Sequence, residues 1–234
     1  MKSKVGFITG GSKGIGLGIA EAMVKENIKV AITGRTEETV NEATQYLNKI
    51  QVDSAIGFVS DVRQLSDLEQ NIKNVEAKWG SVDYLIANAG VGHFGNIETL
   101  TAEQWNETID INLTGVFNTV KAALGQIIAS KGYIITIASL AGTNFFANGT
   151  AYNASKFGLV GFSQALMLDV RLQGVKVTTI MPGSVTSYFN GHEPNEKDAW
   201  KIQPEDIGQM VLDLIKMPAR TLPSKVEVRP TMPG

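Results

Sequence analysis

In the stretch AYNASKFG, Ala151 to Gly158, a phenol and an ammonium stand four residues apart at the head of an otherwise apolar segment. On a helix, positions i and i+4 share a face, so Tyr152 and Lys156 can point into one site. A tyrosine near its reference pKa of about 10 is a poor base at neutral pH. A nearby ammonium favours the phenolate and lowers that value, which lets the phenol give or take a proton in carbonyl or alcohol chemistry. Ser139, closing the run GYIITIAS, could then hold the carbonyl oxygen as charge builds on it. A plain helix with a polar stripe accounts for the pair equally well, so the surroundings must decide.

A glycine-rich segment, TGGSKGIG from Thr9 to Gly16, follows the first apolar run and opens the first helical pattern. Glycines let the backbone turn tightly and approach a pyrophosphate, while a helix N-terminus supplies free N–H groups and partial positive charge. The segment reads as a dinucleotide cradle with Gly10, Ser12, Lys13, Gly14, Ile15 and Gly16 as its contacts. It is not the G-x-G-x-x-G fingerprint, because position 19 is Ile, nor a P-loop, since no G-K-[ST] ends it. A glycine-rich turn made only for packing is the alternative. The second apolar run ends at ITGR, where a chain that binds NAD places a carboxylate for the ribose hydroxyls, and here Gly34 is followed by Arg35. Arg35 and Lys13 converging on one site suit a 2′-phosphate, so NADP(H) is expected over NAD(H). Against this, Glu37 and Glu38 are close enough in sequence to neutralise Arg35 as a surface charge.

These groups need a scaffold that brings distant segments together. Short β-rich runs alternate with longer amphipathic ones, the pattern of a parallel sheet covered by helices on both faces. Strands are expected near KVGFIT, IKVAIT, AIGFVS, VDYLIA, GYIITIAS, VKVTTIM and KVEVRP. Helices are expected over 14–26, 37–49, 65–79, 102–130, 151–173 and 204–216. Ser66 ahead of Glu69 and Thr101 ahead of Gln104 read as helix starts. The expectation is one α/β domain over residues 1–234, with a Rossmann-like doubly wound parallel seven-stranded sheet. The least regular part, residues 183–203, is expected to be a mobile substrate loop near the carboxyl edge of the sheet.

Composition removes other classes. A net charge of −2 offers no basic footprint for nucleic acid. The chain has no cysteine and only two histidines, His93 and His192, so thiol chemistry, cysteine-ligated zinc and a multi-histidine metal site are excluded. No run is long and apolar enough to span a bilayer, and the opening MKSKVGFITG lacks an apolar signal core. No metal, no membrane and a cytoplasmic setting are therefore expected.

TGGSKGIG, Asp61 with Val62, ANAG from Ala87 to Gly90, Asn112 within DINLTGVF, Ser139, YNASK and MPGSVTS occur in this order along the chain. In this order and type the chain resembles the short-chain dehydrogenases/reductases from Val5 to about Gly183. The resemblance implies that Asp61 and Val62 hold the adenine, and that Asn88, Ala89 and Gly90 line the cofactor, with Ala87 standing where the family has a first Asn. It also implies that Pro182, Gly183, Val185 and Thr186 belong to the segment that meets the nicotinamide carboxamide. Tyr152 would be the proton donor, with Lys156 lowering its pKa and binding the nicotinamide ribose. Ser139 would fix the substrate oxygen, and Asn112 would complete a proton path through a water and the lysine. Asn112 hydrogen-bonded within its own helix is the plainer reading.

The implied activity is NADP(H)-dependent carbonyl reduction or alcohol oxidation on a small molecule. A 3-oxoacyl-thioester reductase served by a carrier protein and a non-catalytic cofactor-binding regulator are the rivals. Phe94, Phe145, Phe146, Tyr188, Phe189 and Trp200 fall in loops expected around the pocket mouth. His93 is read as a surface loop residue, and no arginine stands out in those loops. Apolar residues on more than one face of the helix after Ala151, together with the family's habit, imply a homo-oligomer, tetramer or dimer.

Overall fold

The apolar runs form strands β1 (Val5–Ile8), β2 (Lys29–Gly34), β3 (Ala55–Val59), β4 (Tyr84–Ala87), β5 (Tyr133–Ile137), β6 (Lys176–Pro182) and β7 (Lys225–Val228). The structure, a computed structural model, describes residues 3–232, so the two residues at each extremity of the expected 1–234 domain lie outside the described residues. All seven strands are parallel, in the order β3-β2-β1-β4-β5-β6-β7. The direction of winding reverses between β1 and β4, and a crevice opens at such a switch point beyond the carboxyl ends of the strands.

Helices α1 (Gly14–Lys25), α2 (Glu37–Ile50) and α7 (Pro204–Lys216) cover one face of the sheet. The other face carries α3 (Leu65–Trp79), α5 (Gly115–Ser130) and α6 (Thr150–Val170). The central strands are largely apolar because alternate side chains enter different layers, whereas the edge strand β7, KVEV, alternates charged and apolar residues. In β5, Ile134 belongs to the core layer of Leu68, Val120 and Leu159, whereas Ile135 and Ile137 belong to that of Ile19, Leu47 and Val211. Burying one such isoleucine contributes about 2 kcal/mol against the entropy of ordering the chain.

The helix expected over 102–130 is two helices. Helix α4 (Ala102–Ile109) starts at the Thr101–Gln104 capping box read from the sequence, and the chain then widens into a π-helical turn, Asp110–Thr114, before α5 begins. Periodicity cannot show that turn, because one extra residue only shifts the register of an amphipathic pattern that continues on both sides. Ser66 does not start α3 as expected. Gln64 occupies the cap position without a side-chain bond, and Ser66 lies inside the first turn. Helix α6 ends at Val170 rather than Gln173, passing into a tight turn over Arg171–Gln173.

Residues 183–203 carry two short turns, Phe189–Gly191 and Glu196–Asp198, and their ends meet through a Val185–Ile202 bridge. Buried Asp198 organises the segment, accepting from Lys201 Nζ at 2.5 Å and His192 Nε2 at 2.6 Å. These two hydrogen bonds, that from Lys201 first, hold its carboxyl well below the usual carboxylate range. Among the described residues no helix is long and apolar enough to cross a membrane, and no group of three or more acidic or histidine side chains is placed to hold a metal.

Candidate active site

Beyond the carboxyl ends of the strands lies a cleft of about 850 Å³. Its floor at one end is the turn from β1 into α1. Gly10 and Gly14 adopt φ of 64° and 51°, a left-handed conformation that side chains disfavour. A Cβ on Gly16 would stand 2.2 Å from Gly10 O and 2.6 Å from Asn88 Nδ2, so the turn closes only with glycine there. Lys13 precedes α1 with no side-chain cap, which leaves the first N–H groups of the helix free for an acceptor. Ser12, Lys13 and Ile15 line the cleft with Gly10 and Gly14, while Gly16 is buried behind them.

Asn88 fixes the loop after β4 against this turn. Its Nδ2 donates to Thr9 O and Gly10 O at 3.0 Å each, and its backbone N–H donates to Thr9 Oγ1. Ala89 and Gly90 continue the wall. Further along, Thr33, Gly34, Arg35, Thr36, Asp61 and Val62 close the far end. Arg63 grips the Asp61 carboxylate from Nε and Nη2 and lowers its pKa, so Asp61 presents a fixed, ionised group. Arg35 does not pair with Glu37 or Glu38. Its nearest carboxylate is Glu107 of α4, at 3.6 Å.

Tyr152, in the first turn of α6, reaches the opposite end of the cleft. Ser139 stands at the end of β5, where its hydroxyl accepts from Ala141 N at 3.1 Å and faces the Tyr152 phenol. Lys156, one turn after Tyr152, is buried, and its Nζ donates to Ile137 O at 3.1 Å. That ammonium lies 5.7 Å from the centre of the Tyr152 ring. The expected lowering of the phenol's pKa by Lys156 is not what the structure shows. Burial pushes the Tyr152 phenol up, Ser139 partly offsets this, and burial lowers Lys156 to about 8. The physical reason is that the lysine's charge is directed at the carbonyl of Ile137 while both groups lose water.

Asn112 occupies the π-helical turn, buried beneath the cleft rather than in its wall. Its Oδ1 accepts from Val91 N at 2.8 Å, and its Nδ2 donates to Val91 O at 2.8 Å and Ser155 Oγ at 3.0 Å. The side chain therefore clamps the loop after Gly90 to α6, with both its N–H groups committed outside its own helix. Pro182, Gly183 and Val185 line the cleft, but Thr186 does not. Its N–H and hydroxyl are committed to Ile202 O and Asp198 O, which turns it inward.

Apolar rings gather around Tyr152. The Phe94 and Phe189 ring centres lie 5.3 and 5.6 Å from it, and Phe146 lies 5.8 Å from Phe94. Phe145 and Tyr188 also line the mouth, whereas Trp200 stands outside it. His93 lies outside the lining, bonded to Glu107 at 2.7 Å. Two further groups were missed in the sequence. The Ser60 hydroxyl lines the cleft, buried and without a protein partner, and its place directly before Asp61 at the end of β3 was the available signal. Arg229, just beyond β7, also lines the cleft and lies 3.1 Å from Glu227, but its distance from the motifs gave no sign of this.

The glycine cradle, the free helix N-terminus and the orphaned Ser60 hydroxyl fit a dinucleotide laid across the switch point, with Tyr152, Ser139 and Lys156 at its far end. Comparison with known proteins finds related oxidoreductases. Residues 4–198 match the family model described as short chain dehydrogenase. A putative ketoacyl reductase of Streptomyces coelicolor is 32% identical over 228 residues, 96% of this chain and 87% of that protein. An alcohol dehydrogenase from the archaeon Thermococcus sibiricus, complexed with 5-hydroxy-NADP, superposes with a TM-score of 0.92 at 28% identity over 99% of each chain. An actinorhodin polyketide ketoreductase with NADPH superposes with a TM-score of 0.88 at 31% identity, over 97% of this chain and 96% of the other.

Proposed function

The chain belongs to the short-chain dehydrogenase/reductase family of oxidoreductases, and from that premise we propose that it reduces an uncharged apolar ketone or aldehyde with NADPH, or runs the reverse reaction. The observation that carries this reading is the meeting of Tyr152, Ser139 and Lys156 at one end of a cleft whose other end is a glycine cradle. When bound, the nicotinamide supplies the hydride, and the protein supplies orientation and a proton. Gly10, Ser12, Ile15 and the α1 N-terminus receive the pyrophosphate, and Asp61, Val62 and Ser60 border the adenosine. Asn88, Ala89 and Gly90 form the wall between the two ends, and Pro182, Gly183 and Val185 border the nicotinamide end.

Ser139 Oγ donates to the substrate oxygen as negative charge develops there, and Tyr152 gives that oxygen its proton. A phenol whose pKa is raised by burial is held protonated, the state a reductase needs before turnover. Lys156 places positive charge beneath the site and offers its ammonium to the ribose hydroxyls. Asn112 acts through the Val91 loop and α6, holding both sides of the site in register. Neighbours solved with NADP-type cofactors support the cofactor reading, as do Lys13 and Arg35 in the lining.

The apolar substrate reading is supported by the rings of Phe94, Phe146 and Phe189 around Tyr152, and by the pairing of the nearby cations Lys201 and Arg229 with Asp198 and Glu227. A relative named as a ketoacyl reductase keeps the thioester reading in the comparison. A panel of aryl ketones, aldehydes, keto acids and 3-oxoacyl thioesters, followed by loss of NADPH absorbance, tests it. Highest kcat/KM for the aryl ketones is expected, and preference for keto acids would sink the apolar reading. Exposed Phe117 and Phe157 on α5 and α6 support a dimer or tetramer, which sedimentation measures.

A further inference from the structure

Glu107 is not among the cofactor contacts read from the sequence, yet its carboxylate joins Arg35 of the cleft lining to His93 just outside it. One oxygen lies 3.6 Å from Arg35 Nη1, just beyond β2, and the other lies 2.7 Å from His93 Nε2, in the loop after β4. Both partners of the Arg35 contact are partly exposed, at 58% and 35%, so the pair is weak and open to exchange. The neighbouring guanidinium of Arg63 bonds Asp61 rather than Glu107, although it is near enough to feel the Glu107 charge. His93 holds the other carboxylate oxygen, which fixes Glu107 beside Arg35 at the edge of the cleft.

We propose that Glu107 sets cofactor selectivity by competing with the 2′-phosphate of NADPH for Arg35, lowering affinity for the phosphorylated cofactor and leaving NADH almost unaffected. This rests on the NADP(H) reading above. A phosphate on Arg35 must displace the carboxylate and then sit within one guanidinium width of it, so the dianion meets a like charge at short range. Near the surface, partly screened by salt, that repulsion corresponds to roughly three- to tenfold in affinity. NADH carries no charge at this position and escapes the penalty.

The test is the dissociation constant of NADPH and of NADH, measured by quenching of protein fluorescence for wild type, Glu107→Gln, Arg35→Gln and the double variant. Glutamine keeps the shape and can still bond His93. NADPH binding should tighten roughly three- to tenfold in Glu107→Gln while NADH changes less than about twofold. In the Arg35→Gln background the part of that gain due to competition should vanish, leaving the smaller part due to direct repulsion. An unchanged NADPH affinity, equal changes for both cofactors, or a full gain without Arg35 would each overturn the inference. A wild type that binds NADH more tightly than NADPH fails the NADP(H) reading itself. A wild-type preference for NADPH that ignores Glu107→Gln fails the inference alone.

Discussion

Replacing Lys156 by Met is expected to make the protein more stable and inactive. Burial lowers this lysine from 10.5 to about 8, and with 4% of its surface exposed the group has almost no water to screen it. Below pH 8 the folded chain carries a charge that the unfolded chain would hydrate better, a penalty of about 3 kcal/mol from the gap between the two values. Methionine removes that penalty but leaves Ile137 O without its donor, which returns about 1 kcal/mol or more. The net gain near neutral pH is therefore about 1–2 kcal/mol, or several degrees in Tm for a chain of this size.

The sign with pH follows from the lowered value. Between pH 8 and 10.5 the unfolded lysine binds a proton that the folded one has lost, so the wild type recovers stability as pH rises through that window. The advantage of Lys156→Met should shrink by about 1.4 kcal/mol per pH unit there. Tyrosines that titrate in both proteins cancel in the difference. Urea unfolding of the cofactor-free proteins at a series of pH values from neutral to pH 10 measures it. A Lys156→Met variant less stable than wild type at pH 7, or a difference that does not change with pH, refutes the picture of a buried charge kept at a cost to stability.

Three further outcomes follow from the contacts. Gly16→Ala drives a methyl group into Gly10 O, so calorimetric NADPH affinity should fall at least about tenfold and Tm should drop. Asn112→Ala strands the N–H and C=O of Val91 and should cost about 3 kcal/mol in urea unfolding. Asp198→Asn frees His192 and Lys201 and should speed proteolysis within residues 183–203, read by the mass of the first fragments.

The layered α/β fold was legible because strands buried on both faces must be apolar throughout, as Tyr133–Ile137 is. The Thr101 cap was legible because a capping box is local chemistry, and Ser66 misled for the same reason, since the pattern is short enough to arise by chance. The π-helical turn that holds Asn112 was hidden because one extra residue shifts an amphipathic pattern without ending it. Within the site, the glycine turn and the Tyr152–Lys156 spacing are local and could be read directly. Partners set by the meeting of remote segments could not: Glu107 opposite Arg35, Thr186 turned toward Ile202, and the Lys156 ammonium directed at Ile137 O. Sign was lost with them, because the Tyr152 shift depends on how much water the fold removes.

The central claim, that the Tyr152 hydroxyl delivers the proton in a reductase cleft, is tested most directly by Tyr152→Phe assayed for both turnover and NADPH binding. Removing one oxygen from a ring held by Phe94 and Phe189 leaves the cleft's shape intact. The account predicts turnover lowered at least about a thousandfold with NADPH affinity within about twofold of wild type. Turnover retained near the wild-type rate would contradict it.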